Sequence, residues 1–473
     1  MRRVSISRIR RVMNKRFELN QIRIGFVFLI DLCVYVLAGL ISHTVAYPLA
    51  ALLLAALALF HYLRIVQETG TWINLTGIFF LSWIGGQALA MLRLSFLQRE
   101  WSWQMWLLLC VSVIFFAVGS EAAKRIKLFK GKGSAKQTAE TLPAAESLGR
   151  ATVLLAGLSI LCLLIEFAVL KYLPIFSPKP HAYSYFHLKG LHYITVSAMY
   201  VPSLAVLYQL RKKEERLDKS RLDRMVLISA CAALLVPIVC VSRYQLFMAV
   251  FLALICYLLA GNHLTKKMFI CLFIAAIVGY AVLTVLRRHD IEYLNSIFEP
   301  RWKHMPIFIT QPYMYIANNY ENLNYLTEKV PPYAFGARSL APLWSLTGLA
   351  KMFPSLAEFP TYCVKEELIT LTCFYDSYYD FGIPGVCLLS AFMGWCGEKT
   401  QRFTWNSQNP VAYFLFAQVM FYYMMAFFTT WTSNLAVWFG LFITLVLYVF
   451  VERGMRHAEK DSGSGNTGLQ AGS

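Results

Sequence analysis

About a dozen stretches of some twenty apolar residues recur along this chain, and each is long enough as a helix to cross roughly 30 Å of hydrocarbon. That recurrence leaves few architectures open. Hydrophobic residues make up 58% of the 473 and charged residues only 15%, whereas a soluble chain of this length needs a far more charged surface. The expected fold is an all-α polytopic integral membrane protein of about twelve transmembrane helices. The expected spans are 24–42, 45–63, 72–92, 103–122, 152–170, 191–210, 225–241, 245–261, 268–286, 383–397, 411–428 and 434–451.

Twelve crossings put both termini on one side, and the Arg and Lys distribution decides which. With the N-terminus inside, cytoplasmic segments collect 30 of the 44 basic residues, among them Arg2, Arg3, Arg8, Arg10, Arg11, Lys15 and Arg16. The chain then divides into a basic cytoplasmic arm (1–23), spans one to four (24–122) and a cytoplasmic linker (123–151). Spans five to nine (152–286), an extracytoplasmic segment (287–382), spans ten to twelve (383–451) and a Gly/Ser-rich disordered cytoplasmic tail (452–473) follow. The +18 net charge is accounted for by topology and anionic lipid. No nucleic-acid recognition motif accompanies it, so no nucleic-acid partner is expected.

The first span follows some twenty basic and polar residues without a cleavage site of A-x-A type, which reads as an uncleaved signal-anchor. No internal repeat suggests the paired halves of many transporters. Nine of the eleven cysteines lie in or beside spans, where thiols act as small apolar fillers. Cys363 and Cys373 fall on the outer side, where a disulfide is chemically permitted. No CxxC or HExxH pattern exists, so neither a metal nor another cofactor is expected.

Four places carry candidate chemistry. In VSRYQLF (241–247), Arg243 occupies a short outer turn; it either snorkels to headgroup phosphates or contacts a diphosphate. In LRRHD (286–290) and EPRWKH (299–304), Arg287, Arg288 and Arg301 offer planar forks that make paired bonds to phosphate. Ion pairing with Asp290, Glu292 and Glu299 is the plainer reading, and His304 lies beside them. Between Pro312 and Arg338, Tyr313, Tyr315 and Asn319 belong to a Tyr/Asn-rich mixture that suits sugar rings, although interfacial anchoring explains many of these rings. In TLTCFYDSYYDFGIPG (370–385), Asp376 and Asp380 stand four residues apart beside Tyr379. Gly382 and Pro384–Gly385 mark a break there. A carboxylate at that depth suits a general base, or one that orients an arginine.

The order of these pieces, SRYQ (242–245), LRRHD (286–290), FGARSLAP (335–342) and YYDFGIPG (378–385), resembles the Wzy-type oligosaccharide repeat-unit polymerases. These make O-antigen, capsule and exopolysaccharide, and include the enterobacterial common antigen polymerase branch. The resemblance covers roughly 200–450. It implies a metal-independent glycosyltransferase in the cytoplasmic membrane of a bacterium, with both termini cytoplasmic. Such an enzyme joins undecaprenyl-diphosphate-linked oligosaccharides on the outer face, alongside a flippase and a chain-length regulator. The family's diphosphate-gripping arginines map onto Arg243 and Arg287 or Arg288, with Arg338 a further candidate. Tyr244 departs from the commoner S-R-G turn.

Fixed cations can replace a metal in meeting the charge of a departing diphosphate. For the acceptor hydroxyl the carboxylates and imidazoles on the expected side are Asp380, Glu366, Glu367, His304 and His289, with Asp380 first by location. Asp31, Glu121 and Glu166 fall within spans, where ionisable groups signal function by default. Asp31 supports a rival reading as a transporter or flippase of lipid-linked sugars; a ligase-type glycan transferase is the other alternative.

Overall fold

A computed structural model of the protein describes residues 25–126, 143–177, 182–271, 291–302, 305–329 and 331–467, together with positions 274, 278, 279 and 282. The described residues form helices and loops with no strand; the one β-bridge pairs Ser95 with Pro300. Among the described residues, eight helices are long and apolar enough to cross a membrane: Gly25–Ser42, Tyr47–Thr69, Trp103–Arg125, Ala145–Leu170, Leu191–Glu214, Arg221–Val239, Tyr375–Asn406 and Leu435–Ala458. The chain is therefore a multi-pass membrane protein. Shorter apolar helices, Leu75–Ala90, Arg243–Leu259 and Val411–Met424, occupy the third, eighth and eleventh expected spans. The ninth expected span lies mostly outside the described residues.

Two compact units divide the chain. The first comprises described residues up to Ile126, with Ile297–Cys396 and Met424–Thr430; the second takes those of Lys127–Ser296, Gly397–Tyr423 and Trp431–Ser473.

In the first unit, Tyr47–Thr69 and Leu75–Ala90 pair as a helical hairpin. Gly70 at φ 70° ends the first of these helices in the left-handed conformation that glycine adopts without penalty. Asn74 starts the second by accepting the Gly77 amide at 2.6 Å. Phe79 and Phe116 stack with centroids 3.7 Å apart, and the Trp83 indole donates to Ser112 at 2.8 Å. Trp83, Phe79, Phe80 and Phe116 are fully buried, so this aromatic layer is the core that fixes the helices relative to one another.

The helices Trp103–Arg125 and Tyr375–Asn406 approach more closely than side chains allow. A Cβ on Gly394 would lie 2.0 Å from the Phe116 carbonyl oxygen, and one on Gly119 would lie 1.9 Å from that of Ala391. Lipid tails supply no hydrophobic drive between helices, so close backbone approach of this kind is a main source of their association.

In the second unit, Ala145–Leu170 packs on Arg221–Val239, on the segments between Leu191 and Glu214, and on Leu435–Thr467. Glu215 accepts the Ala144 and Ala145 amides at 2.6 and 3.1 Å, satisfying donors that a helix start leaves open. Gln418 accepts from Thr444 at 2.7 Å within the buried interior.

Each ionisable residue expected within a span has a partner. Asp31, with no exposed surface, meets the equally buried His61 at 2.6 Å. Glu166 accepts the Leu188 amide and contacts His192, both at 3.0 Å. Glu121 pairs with Lys124 at 2.5 Å. All eleven cysteines are free thiols, so Cys363 and Cys373 are unbridged. The last helix runs from Leu435 to Thr467, with Glu452 and Arg456 paired across one turn.

Replacing glycine by alanine inside a helix gains about 1 kcal/mol from propensity, and overpacking costs about 1–3 kcal/mol. Gly394→Ala should therefore lower the thermal midpoint of the detergent-purified protein. Gly157→Ala, in Ala145–Leu170 with nothing within 4 Å of the added carbon, should leave it equal or higher.

Candidate functional site

Two stretches of the first unit that lie some forty residues apart in sequence are built into one structure. The helix Tyr375–Asn406 breaks at Gly382, at φ 62° and ψ −146°, where the sequence places glycine beside Pro384–Gly385. Just before the break, Asp380 is completely buried. Its two carboxylate oxygens accept the backbone amides of Arg338 at 3.2 Å and Ser339 at 2.7 Å. Its own carbonyl accepts the Phe335 amide at 3.2 Å, and the Tyr379 carbonyl accepts that of Ala334 at 3.3 Å. The turn so gripped has consecutive left-handed residues, Phe335 at φ 46° and Gly336 at φ 92°. A bulky residue takes that conformation only where its surroundings enforce it.

Arg338 is held by hydrogen bonds and by two aromatic rings. Its Nε donates to Asp376 at 2.7 Å and its Nη1 to the Phe359 carbonyl at 3.2 Å. Its guanidinium lies 4.8 Å from the Tyr379 ring centroid and 5.4 Å from that of Tyr375. Only 13% of the side chain is exposed. Asp380 thus has the geometry of a loop anchor rather than of a base open to a hydroxyl. Arg338 has that of a positioning group, its charge facing the Asp376 carboxylate and two π-faces.

The Tyr/Asn-rich stretch forms a helix, Ile307–Lys329, that packs on Leu75–Ala90 and Trp103–Arg125. One face takes Tyr313, Tyr320, Asn324 and Thr327 at spacings of seven, four and three, and every one is buried. Tyr313 donates to Gln98 at 2.6 Å and accepts the Leu94 amide at 3.0 Å. Tyr320 donates to the Trp83 carbonyl at 2.8 Å. Asn324 accepts the Ser102 amide at 2.9 Å. Asn319 is buried and donates to the Tyr315 carbonyl at 2.5 Å. The Tyr315 ring meets Phe428 edge-on at 5.9 Å. The Tyr313 hydroxyl and the Asn319 amide nitrogen thus serve the fold, whereas the buried Asn319 Oδ1 has no hydrogen-bond partner among the described residues.

Sequence reasoning missed Glu321, the charged centre of this face. It is fully enclosed and accepts the Trp101 indole at 2.9 Å and the Arg99 amide at 3.1 Å. Burial pushes its carboxyl up to about 7, against the opposing pull of those bonds and of Arg93. A carboxylate at helical spacing between buried aromatics was the available signal.

The opposite face of the helix pins a loop. Asn322 donates to the Leu368 and Thr370 carbonyls at 2.7 and 2.9 Å and accepts the Val364 amide at 2.9 Å. Asn318 also donates to Leu368, at 3.0 Å. Glu366 and Glu367 stand exposed between these fixed points. Beside the 93–102 loop, Arg301 is exposed. Its backbone amide bonds Leu94 at 2.9 Å, and its guanidinium lies 5.6 Å from the Phe96 ring centroid.

In the second unit, Arg243 is the first residue of the helix Arg243–Leu259, whose start Ser242 caps through the Gln245 amide at 3.4 Å. The preceding Val241 has φ 52°, an outlier for a β-branched side chain. Tyr244, where S-R-G turns have glycine, packs edge-on against Phe421 at 5.6 Å. Arg287, Arg288, His289 and His304 lie outside the described residues.

Glu321 yields a pH prediction. Its carboxyl titrates near 7 when folded and near 4.5 ordinarily, so between those values the folded state holds the proton more tightly. That stabilisation is complete below about pH 4.5 and is lost as pH rises through 7. Glu321→Gln should therefore raise the thermal midpoint at pH 8, and the difference should shrink toward pH 5. A scan against protein-family models matches nothing, and neither the curated proteins nor the solved structures contain a match to this chain.

Proposed function

We propose that this protein is a glycosyltransferase of the bacterial cytoplasmic membrane that joins oligosaccharide repeat units carried on undecaprenyl diphosphate, as the repeat-unit polymerases it resembles do. The single observation that carries the reading is the convergence of FGARS and YDFG on Asp380: two stretches quoted for the resemblance are physically one element. Both termini are cytoplasmic in this reading, the chain crosses twelve times, and the 287–382 segment works on the outer face. A flippase supplies the units and a separate regulator sets chain length.

In the reaction the acceptor hydroxyl oxygen bonds to the anomeric carbon of the donor sugar. The bond from that carbon to the diphosphate oxygen breaks, and the hydroxyl proton passes to a base. Negative charge grows on the departing diphosphate, so cations fixed nearby stabilise the transition state without a metal. We assign that work to Arg243, Arg287 and Arg288, with Arg301 as an exposed cation of the first unit. The N-terminus of Arg243–Leu259 adds its own attraction for an anion. Arg338, saturated by Asp376 and two tyrosine faces, shapes the turn that presents the sugar-facing surface. The base falls to Glu366 or Glu367, whose loop is pinned by Asn318 and Asn322, rather than to the enclosed Asp380.

The test is the purified protein with lipid-linked repeat units, followed as a ladder of chain lengths. The wild type should make the ladder in the presence of a chelator. Arg243→Lys, which keeps the charge but loses the fork, should slow it by about two powers of ten, the scale of one lost preorganised donor. Full ladder formation by Arg243→Lys would remove Arg243 from the diphosphate site. In cells, loss of the protein should leave surface lipid capped with single repeat units. Units trapped on the inner leaflet would indicate a flippase, and finished chains retained on the lipid carrier a ligase.

A further inference from the structure

At one end of the first unit's helical bundle lies a cleft that the proposed chemistry does not use. It is framed by the beginnings of Gly25–Ser42 and Leu75–Ala90 and by the last turns of Tyr47–Thr69 and Trp103–Arg125. The cleft is shallow and open-sided, and its polar lining comprises Arg64, Thr76, Ser120, Glu121 and Lys124. Val27, Phe28 and Ala117 form an apolar wall.

Two polar atoms in this lining have no hydrogen-bond partner among the described residues: the buried Nε of Arg64 and the buried hydroxyl of Ser120. Long cations at span ends commonly snorkel to water, which would explain Arg64 by itself. Ser120 cannot do this, because its side chain is short and the residue is only 2% exposed. An orphaned hydroxyl at such a place costs free energy unless something in the cleft accepts from it or donates to it.

The charges narrow the choice. Lys124 is paired with Glu121 at 2.5 Å, so the lining carries one net positive charge, on Arg64. One phosphodiester anion balances it, whereas a phosphate dianion overshoots and meets the Glu121 carboxylate. The depth suits a headgroup, since all four helix ends lie within about a turn of the cleft, and the apolar wall suits a glycerol backbone and the first acyl carbons.

We propose that this cleft binds the phosphodiester of an anionic lipid, with the Arg64 guanidinium and the Ser120 hydroxyl donating to its phosphate oxygens. The site is separate from the proposed polymerising site and does not rest on that reading.

The test uses the full chain, purified from phosphatidylcholine vesicles doped with phosphatidylglycerol, with retained lipids identified by native mass spectrometry. The wild type should retain phosphatidylglycerol in preference to phosphatidylcholine. Arg64→Gln should weaken that retention by about tenfold or more, as expected for a charge-assisted bond. Ser120→Ala should weaken it by about two- to tenfold; it breaks no bond inside the protein, so it reads the site without unfolding it. Excess inorganic phosphate should not compete. Unchanged retention in Ser120→Ala and Arg64→Gln would overturn the proposal, and so would displacement of the lipid by inorganic phosphate, which would make this a site for free phosphate.

Discussion

A carboxylate without access to water must be met by donors, and in this protein the donors that meet Asp380 are backbone amides of a distant turn. That one interaction joins a broken membrane helix to the FGARS turn and draws Arg338 between Tyr375 and Tyr379. Losing one partner of such an arrangement is costlier than its net contribution suggests, because the remaining charge stays buried. The strained conformations at Phe335, Gly336 and Gly382 persist because this framework leaves them no alternative.

A division of labour follows. The groups with the best-satisfied polar atoms, Asp376, Asp380, Arg338 and Tyr313, build the scaffold. Exposed groups on pinned loops, Arg301, Glu366 and Glu367, remain open to solvent. Holding reactive groups on a rigid frame is how a site lowers a barrier without reorganising at the moment of reaction. The first unit obtains its rigidity from an aromatic layer around Trp83 and a glycine-mediated helix crossing at Gly119 and Gly394.

Much of the fold was legible in the sequence because the bilayer imposes a simple rule: apolar runs of sufficient length become helices. The break at Gly382 was equally legible, since glycine beside Pro384–Gly385 disfavours a continuous helix. The roles of the polar residues were harder to read. Tyr and Asn between spans suit a sugar surface and a buried helix face equally well, and composition does not separate them. Spacing does: Tyr313, Tyr320, Asn324 and Thr327 recur with a helical period, and their partners, at Trp83 and in the 94–102 loop, are more than two hundred residues away. Similarly, Asp380 looked like a base because its depth was evident while its two amide donors were not. Asp31 stood out because its depth was evident, while its partner His61, thirty residues on in the same bundle, was not.

The central claim is that Asp380 holds the 335–339 turn through its amides, and hydrogen exchange measures this directly. In the detergent-purified protein the amides of Arg338 and Ser339 should exchange slowly although they lie in a loop, and Asp380→Asn, which replaces one acceptor by a donor, should accelerate both. Rapid exchange in the wild type, or equal rates in the two proteins, would contradict the account.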